Sequence, residues 1–291
     1  MQLGDRTLDL RQPLLVGIVN LTPDSFSDGG ELDSLDAILR RAAQLIADGA
    51  DILDVGGESS RPGAAEISVD MELSRVVAPV EAIARRFDVP ISIDTRRAAV
   101  AAATLGAGAT MVNDISGFSD PLMGKTVAAH AAAWVLMHTT NPLGQMNWTE
   151  RAPDMPETVD GALRRICAQL RLSVERARAA GVPRTQLCVD PGIGFGKSLG
   201  QNLALLRSNS PLASLNVPLY FGPSRKSFIA ALGRAAGRQG AAAGEQPLDR
   251  IGGTAAAVVA AVQAGASFIR VHDVAVMRQV IDMTLAIADK L

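Results

Sequence analysis

Cysteine is scarce in this chain of 291 residues: Cys167 and Cys188 stand far apart, with neither metal-site spacing nor the density of a disulfide framework. They read as a partly buried helix position and a core strand position, in a reducing cytoplasm. Long hydrophobic runs are also missing. No apolar stretch approaches the ~20 residues that span a bilayer, and Met1-Gln2-Leu3-Gly4-Asp5-Arg6 has no apolar signal core. Charge of one sign is not in excess: 28 Lys and Arg against 30 Asp and Glu leave a net charge of -2. That excludes a general pull toward nucleic acid or anionic membrane, so any bound anion must be held by a local cluster. The expectation is a soluble, cytoplasmic protein. Several signatures are absent as well. No GxGxxG follows the first apolar run, no Walker A loop occurs, no His/Cys cluster has ligand spacing, and no Ser sits in a nucleophile elbow.

What is present is a repeated unit. Short apolar runs at 14–19, 51–55, 91–93, 110–112, 134–137, 187–189, 219–221 and 268–271 end in polar residues. Amphipathic, Ala-rich stretches lie between them, at 34–47, 70–86, 97–105, 159–180, 202–207, 251–264 and 274–288. Continuous apolar strands alternating with helices predict a parallel sheet covered on both faces. About eight units in a chain somewhat over ~250 residues predict an α/β fold of the (β/α)8 TIM-barrel type, one domain over 1–291. A doubly wound open sheet is the alternative. It lacks the glycine fingerprint, and it would gather site residues at one crevice rather than after nearly every strand. The Gly-, Ala- and Arg-rich stretch 233–247 reads as a mobile loop, and 139–156 as an ordered loop with excursions.

The residues just past the strands carry the chemistry. They include Asn20 and the run Thr22 to Gly30; Asp54, Glu58, Ser59, Ser60 and Arg61; Asp94 and Arg96; Asn113 and Asp114. His138, Asp190, Ser224-Arg225-Lys226 and Arg270-Val271-His272-Asp273 complete the ring. In a (β/α)8 barrel such positions converge at the C-terminal mouth. One Asp at a strand end is usually a helix cap or turn former; that reading weakens when every strand ends in polar groups. Asn113, Asp94, Asp190 and Lys226 offer amide, carboxylate and ammonium groups to the edges of a flat heterocycle. Arg61, Arg270 and His272 suit phosphate oxygens. Asn20 and Asp28 are hard oxygen donors, fit for Mg²⁺ shared with a pyrophosphate. The run 24–30 can close over the mouth as a lid. Asp190-Pro191-Gly192-Ile193-Gly194-Phe195-Gly196-Lys197 brings backbone close to a planar ligand, with Phe195 to stack. The site is built to position and polarise reactants, without a covalent intermediate.

Eight stretches in order resemble the dihydropteroate synthase family across essentially the whole chain. They are Gly17 to Gly30, Asp54 to Gly63, Ser92 to Thr95, Val112 to Ile115, Leu136 to His138, Asp190 to Lys197, Ser224 to Ser227 and Arg270 to Asp273. The resemblance implies that Asp94, Asn113, Met137, Asp190, Phe195, Gly222 and Lys226 hold a pterin. It implies Asn20, Arg61, Arg270 and His272 at a pyrophosphate, with Asn20 and Asp28 on Mg²⁺. Phe26, Ser60, Pro62, Lys226 and Ser227 would shape a p-aminobenzoate pocket, which makes sulfonamides candidate inhibitors. Asp94, Lys226 and Asp28 would be catalytic: the bond to pyrophosphate breaks first, and Asp94 stabilises the resulting pterin cation before the aromatic amine attacks. The family further implies a homodimer; the helix over 274–288 is a candidate face, and its amphipathic stripe fits simple barrel packing equally well.

Three departures from the family pattern stand out. Ser60 replaces a common Thr, which widens the p-aminobenzoate pocket by a methyl. Thr139-Thr140-Asn141-Pro142 replaces a Gly-containing turn, and Pro223 stiffens the approach to Lys226. The competing readings are a pterin-dependent methyltransferase domain, which needs neither pyrophosphate nor p-aminobenzoate sites, and a non-catalytic pterin-binding paralogue. Arg61, Ser224 to Ser227 and Arg270 to His272 favour the synthase.

Overall fold

Eight short strands pair in parallel around a ring: β1 (Leu14–Asn20), β2 (Ile52–Gly56), β3 (Ile91–Asp94), β4 (Met111–Asp114), β5 (Ala133–Met137), β6 (Leu187–Asp190), β7 (Tyr220–Phe221) and β8 (Phe268–Val271). Every strand lies between its sequence neighbours, and β8 pairs with β1 so that Arg270 faces Val16. The last seam, between β6 and β7, is a single parallel bridge from Val189 to Leu219, with Val189 N donating to Pro218 O at 3.0 Å. The (β/α)8 barrel is therefore the fold, and the open sheet is excluded by this closure. The computed structural model describes residues 1–22, 34–59, 64–140, 158–207 and 210–290.

The helices follow the strands in alternation: α1 (Leu35–Ala47), α2 (Val69–Arg86), α3 (Ala98–Gly106), α4 (Met123–Ala129), α5 (Val159–Ala179), α6 (Leu199–Arg207), α7 (Ser210–Ala213), α8 (Ser227–Ala235), α9 (Ile251–Gln263) and α10 (Val274–Ile287). Ser34, Ser68 and Thr158 start α1, α2 and α5 by accepting from the backbone N–H three residues on, at 3.1–3.2 Å. The short helices α4, α7 and α8 are additions to the expected set. At seven and four residues, α4 and α7 are too brief to carry a clear apolar period.

Two apolar clusters follow from strand pleating, because successive side chains point to opposite faces. Leu53, Val55, Ile93, Val112, Leu136, Val189 and Ile269 face outward and pack under the helices. Val16, Ile52, Met111, Val135, Cys188, Tyr220 and Phe268 face inward and fill the lower barrel. The two-stranded hairpin Gln2–Leu3 with Arg6–Thr7 seals that end through the fully buried Leu3. Apolar packing thus occupies the barrel up to the level of Asp54, and the inward positions above it include Asp94, Asn113, Asp190 and Arg270, with Met137 among them. Cys188 is a core strand residue and Cys167 a buried residue on α5, both free thiols.

The stretch 233–247 begins in the last turn of α8 and includes a 3-10 turn over Gly240–Ala243, just ahead of a second over Pro247–Arg250. Arg250 gathers it by donating to the carbonyls of Gly244 (2.6 Å), Glu245 (2.8 Å) and Arg225 (2.9 Å). The lid run 24–30 and most of 139–156 lie outside the described residues. Among the described residues no helix is long and apolar enough to cross a membrane.

Candidate active site

Register brings the polar inward residues to one level. Asp94 of β3 stands beside Asn113 of β4, and Met137 of β5 beside Asp190 of β6. Arg270 of β8 reaches across: its Nε donates to Asp54 at 2.6 Å and its Nη2 to Asp94 at 2.8 Å. Asn113 donates from Nδ2 to the same Asp54 oxygen at 3.1 Å. Four residues from four strands therefore form one connected floor, three of them expected and the fourth, Asp54, not assigned a role from sequence. Its signal was parity: Ile52 and Asp54 share the inward face of β2.

Charge on that floor is perturbed by burial. Asp94 is pushed up to about 7, chiefly by loss of water; Arg270 opposes the rise, while Asp54, Glu72 and Asp114 add to it. Desolvation works against the Arg270 guanidinium, yet Asp54 and Asp94 outweigh it and hold the group above its ordinary value. Asp190 is raised by burial, against Lys226, a backbone N–H bond and Lys197.

The opposite wall comes from two loops. Asp190 accepts the N–H of Gly192 at 2.7 Å and starts the turn that carries Phe195. Gly192 has φ +69° and Gly194 φ +81°, and a Cβ would fall 2.0 Å from His138 O at the first and 2.7 Å from Lys226 Cδ at the second. Lys197, 1% exposed, supports this turn from below by donating to the carbonyls of His138 (3.2 Å), Gly192 (2.8 Å) and Phe195 (3.1 Å). Sequence alone gives no sign of this role, since one Lys at the end of a Gly-rich run looks like a solvated charge.

Lys226 precedes α8. Its ammonium lies 4.1 Å from the centroid of the Phe195 ring and donates to the carbonyl of Ile193. Burial lowers Lys226 to about 8, with Asp190 resisting the shift. The neighbouring Arg225 has φ +56°, a costly conformation for a residue with a side chain. It is held there by Thr254 Oγ1, which accepts from its N–H at 3.0 Å, and by Asp273, paired to its guanidinium at 2.6 Å and 3.0 Å. Gly222, between β7 and this turn, lies beside both Arg270 and Lys226: a Cβ there would make ordinary contact with Arg270 at 3.7 Å and with Lys226 Nζ at 3.9 Å. His272 shares a hydrogen bond at 2.9 Å between Nδ1 and Ser224 Oγ. Ser227 opens α8, and Asn20 ends β1.

Some strand-end residues are structural. Asp114 accepts from the backbone of Ser116 (2.9 Å) and Phe118 (3.1 Å), a turn former outside the floor. Glu58 pairs with Arg96 (3.1 Å) and Arg97 (2.9 Å), and Arg97 also pairs with the buried Glu72, so the segments after β2 and β3 are tied together. Phe26, Asp28, Ser60, Arg61 and Pro62 lie outside the described residues. The assembled site has two carboxylates and an amide at the floor, cations at opposite edges and an aromatic ring on one side. It can read a flat, polar heterocycle and stabilise positive charge on it; no activated nucleophile stands in the described floor.

The pattern of the family described as "Pterin binding enzyme" matches residues 16–272. The chain is 42% identical over 272 residues to the dihydropteroate synthase of Synechocystis sp., covering 93% of this chain and 88% of that protein. To the dihydropteroate synthase of Bacillus subtilis it is 40% identical over 278 residues, covering 95% and 89%. Among solved structures it is similar to the Yersinia pestis dihydropteroate synthase in a sulfonamide drug complex, with TM-score 0.88, 38% identity and 99% of both chains covered. It is also similar to Burkholderia cenocepacia dihydropteroate synthase complexed with 7,8-dihydropteroate, with TM-score 0.84, 36% identity and coverage of 99% and 96%.

Proposed function

Since the chain belongs to the pterin binding enzyme family, we infer that it is a dihydropteroate synthase. It is a transferase of folate biosynthesis: it condenses 6-hydroxymethyl-7,8-dihydropterin pyrophosphate with p-aminobenzoate to give 7,8-dihydropteroate and pyrophosphate. The observation that carries this reading is the connected floor Asn113–Asp54–Arg270–Asp94 facing Asp190 and Lys226. It offers donor and acceptor groups to a pterin, with paired charges around the position where a cation would form.

The roles follow from chemistry. Asp190 and Asn113 read the polar edge of the pterin, Lys226 donates to its oxygen or nitrogen acceptors, and Met137 and Phe195 pack against the ring. The C–O bond between the pterin methylene and the diphosphate breaks, and the electron pair leaves with the diphosphate. The Asp94 carboxylate stabilises the positive charge delocalised into the pterin. The amine nitrogen of p-aminobenzoate then bonds to the methylene carbon and loses its proton. Arg61, Arg270 and His272, with Asn20, hold the diphosphate; Phe26, Ser60, Pro62, Lys226 and Ser227 shape the p-aminobenzoate pocket, where sulfonamides compete.

Asn20 ends β1 at the mouth with an amide oxygen, the hard donor type that Mg²⁺ takes. With Asp28 it would hold the ion against the diphosphate, where the ion supplies positive charge to the leaving group. Two copies would pair through α10, whose Val276, Met283 and Ile287 stand exposed.

Pyrophosphate release from the pterin substrate with Mg²⁺, measured with and without p-aminobenzoate, tests this reading. Release coupled to dihydropteroate formation is expected; pterin binding without release overturns it in favour of a non-catalytic paralogue or a methyltransferase.

A further inference from the structure

Asp54 is fully buried, on the inward face of β2. Its Oδ2 accepts from both Arg270 and Asn113, and its Oδ1 has no hydrogen-bond partner among the described residues. A carboxylate enclosed among inward-facing apolar residues is costly unless its neighbours need it. We propose that Asp54 is a positioning residue for the synthase reaction, which fixes the amide orientation of Asn113 and divides the charge of Arg270 between itself and Asp94. The proposal rests on the synthase reading and deepens it.

Two consequences come from the geometry. A carboxylate only accepts, so the Asn113 amide must turn its NH2 down toward Asp54 and leave its carbonyl oxygen for the ligand. That makes position 113 an acceptor toward pterin N–H groups, a choice the amide alone would not make. Secondly, one guanidinium lies between two carboxylates, Asp54 at 2.6 Å and Asp94 at 2.8 Å. Asp94 also senses Glu72 on α2 and Asp114 on β4 as negative charges, and Lys226 before α8 as a positive one; the Tyr220 phenol on β7 lies in the same field. Removing the Asp54 charge leaves Arg270 to Asp94 alone, and Asp94 ionises more readily.

The test is Asp54→Asn, which keeps the shape and removes the charge. The pH dependence of kcat/KM for the pterin pyrophosphate is recorded for wild type and variant, with thermal melting of both. The expected result is a folded variant with reduced kcat whose acid limb lies roughly one pH unit below the wild-type limb. A folded variant with an unmoved acid limb overturns the proposal, because a residue that merely fills space would not move it. Should Asp54→Asn fail to fold, Asp54→Ser, which also removes the charge, replaces it: a limb shifted downward supports the proposal, and an unmoved limb in the folded variant overturns it. Wild-type turnover tests the synthase reading by itself. Calorimetric titration of the pterin pyrophosphate across pH reads the Asp54 effect without turnover, so the two failures are distinguishable.

Discussion

The Lys226 ammonium stands 4.1 Å from the centre of the Phe195 ring, joining the residue before α8 to the loop after β6. Burial has brought that ammonium down to about 8, so it loses its proton only slightly above neutral pH. If the ammonium form holds the pterin, affinity for the pterin substrate falls as pH rises through about 8. Lys226→Met is expected to bind more weakly and to lose this basic limb; calorimetry between pH 6.5 and 9.5 reads both. A limb retained in the variant would assign it to another group.

Asp94→Ala is expected to lower kcat by at least about 100-fold while changing the dissociation constant of the pterin pyrophosphate much less. Stabilisation of the cation acts mainly in the transition state, and losing one such electrostatic group typically costs about 10²–10³ in rate. Single-turnover kinetics with a separate binding measurement checks the split. Near-normal turnover would remove Asp94 from the mechanism.

Arg270→Ala is expected to weaken binding of the pterin pyrophosphate and to destabilise the fold together. The guanidinium pairs with the fully buried Asp54 and the largely buried Asp94, and its removal takes away the cation hydrogen-bonded to both carboxylates. Breaking such a pair costs about 3 kcal/mol or more. Urea unfolding at pH 8 measures it. A loss of affinity with stability intact would mean that the side chain serves only the anion.

Lys197→Met removes three donors from three carbonyls that frame the Phe195 turn. Burial draws Lys197 down to about 7, although Asp190 favours its charged form, and the three acceptors use all the donors of an ammonium. The Gly192 carbonyl keeps the Phe195 N–H at 3.1 Å, but any carbonyl left unsatisfied costs roughly 1–3 kcal/mol, which should loosen the turn. The expectation is a raised KM for the pterin substrate with a smaller change in kcat, read from steady-state kinetics. Equal losses in kcat and kcat/KM would argue for a direct catalytic part instead.

His138 bonds to Gln169 through Nε2 and is pushed down to about 3, chiefly by burial, with Lys197 adding to the shift. Its folded-state value lies below the unfolded 6.5, so the unfolded chain binds a proton that the folded chain refuses. This stability is present above about pH 6.5 and is lost as pH falls toward 3. His138→Asn is therefore expected to flatten the pH dependence of melting between 6.5 and 4. An unchanged slope would place the acid sensitivity elsewhere.

Much of this architecture was legible from residues alone, for identifiable reasons. The strands at 14–19 and 268–271 could be read because buried parallel strands are uninterrupted apolar runs; the observed β8 matches its run, and β1 extends one residue further, to Asn20. The helices at 34–47 and 159–180 announce themselves through Ser34 and Thr158 caps and a sustained apolar period. Helix α4 has seven residues and no side-chain cap, so its pattern is too short to separate from a turn.

The site divides along another line. Residue types and their order determined a ring of carboxylates, amides and cations at strand ends, and with it a charged mouth for a polar heterocycle and a diphosphate. Only the closed barrel decided which of them meet. An uninterrupted apolar strand does not reveal which alternate residues point inward, and that choice depends on ring closure and register. Closure turned Asp54 in under Arg270 and left Asp114 outside as a turn former. It also enclosed Lys197 beneath a loop on which sequence spacing would have left it in water. Local chemistry is written along the chain; the pairing of charges from strands more than 170 residues apart, as between Asp94 and Arg270, arises only when the sheet curls and excludes water between them.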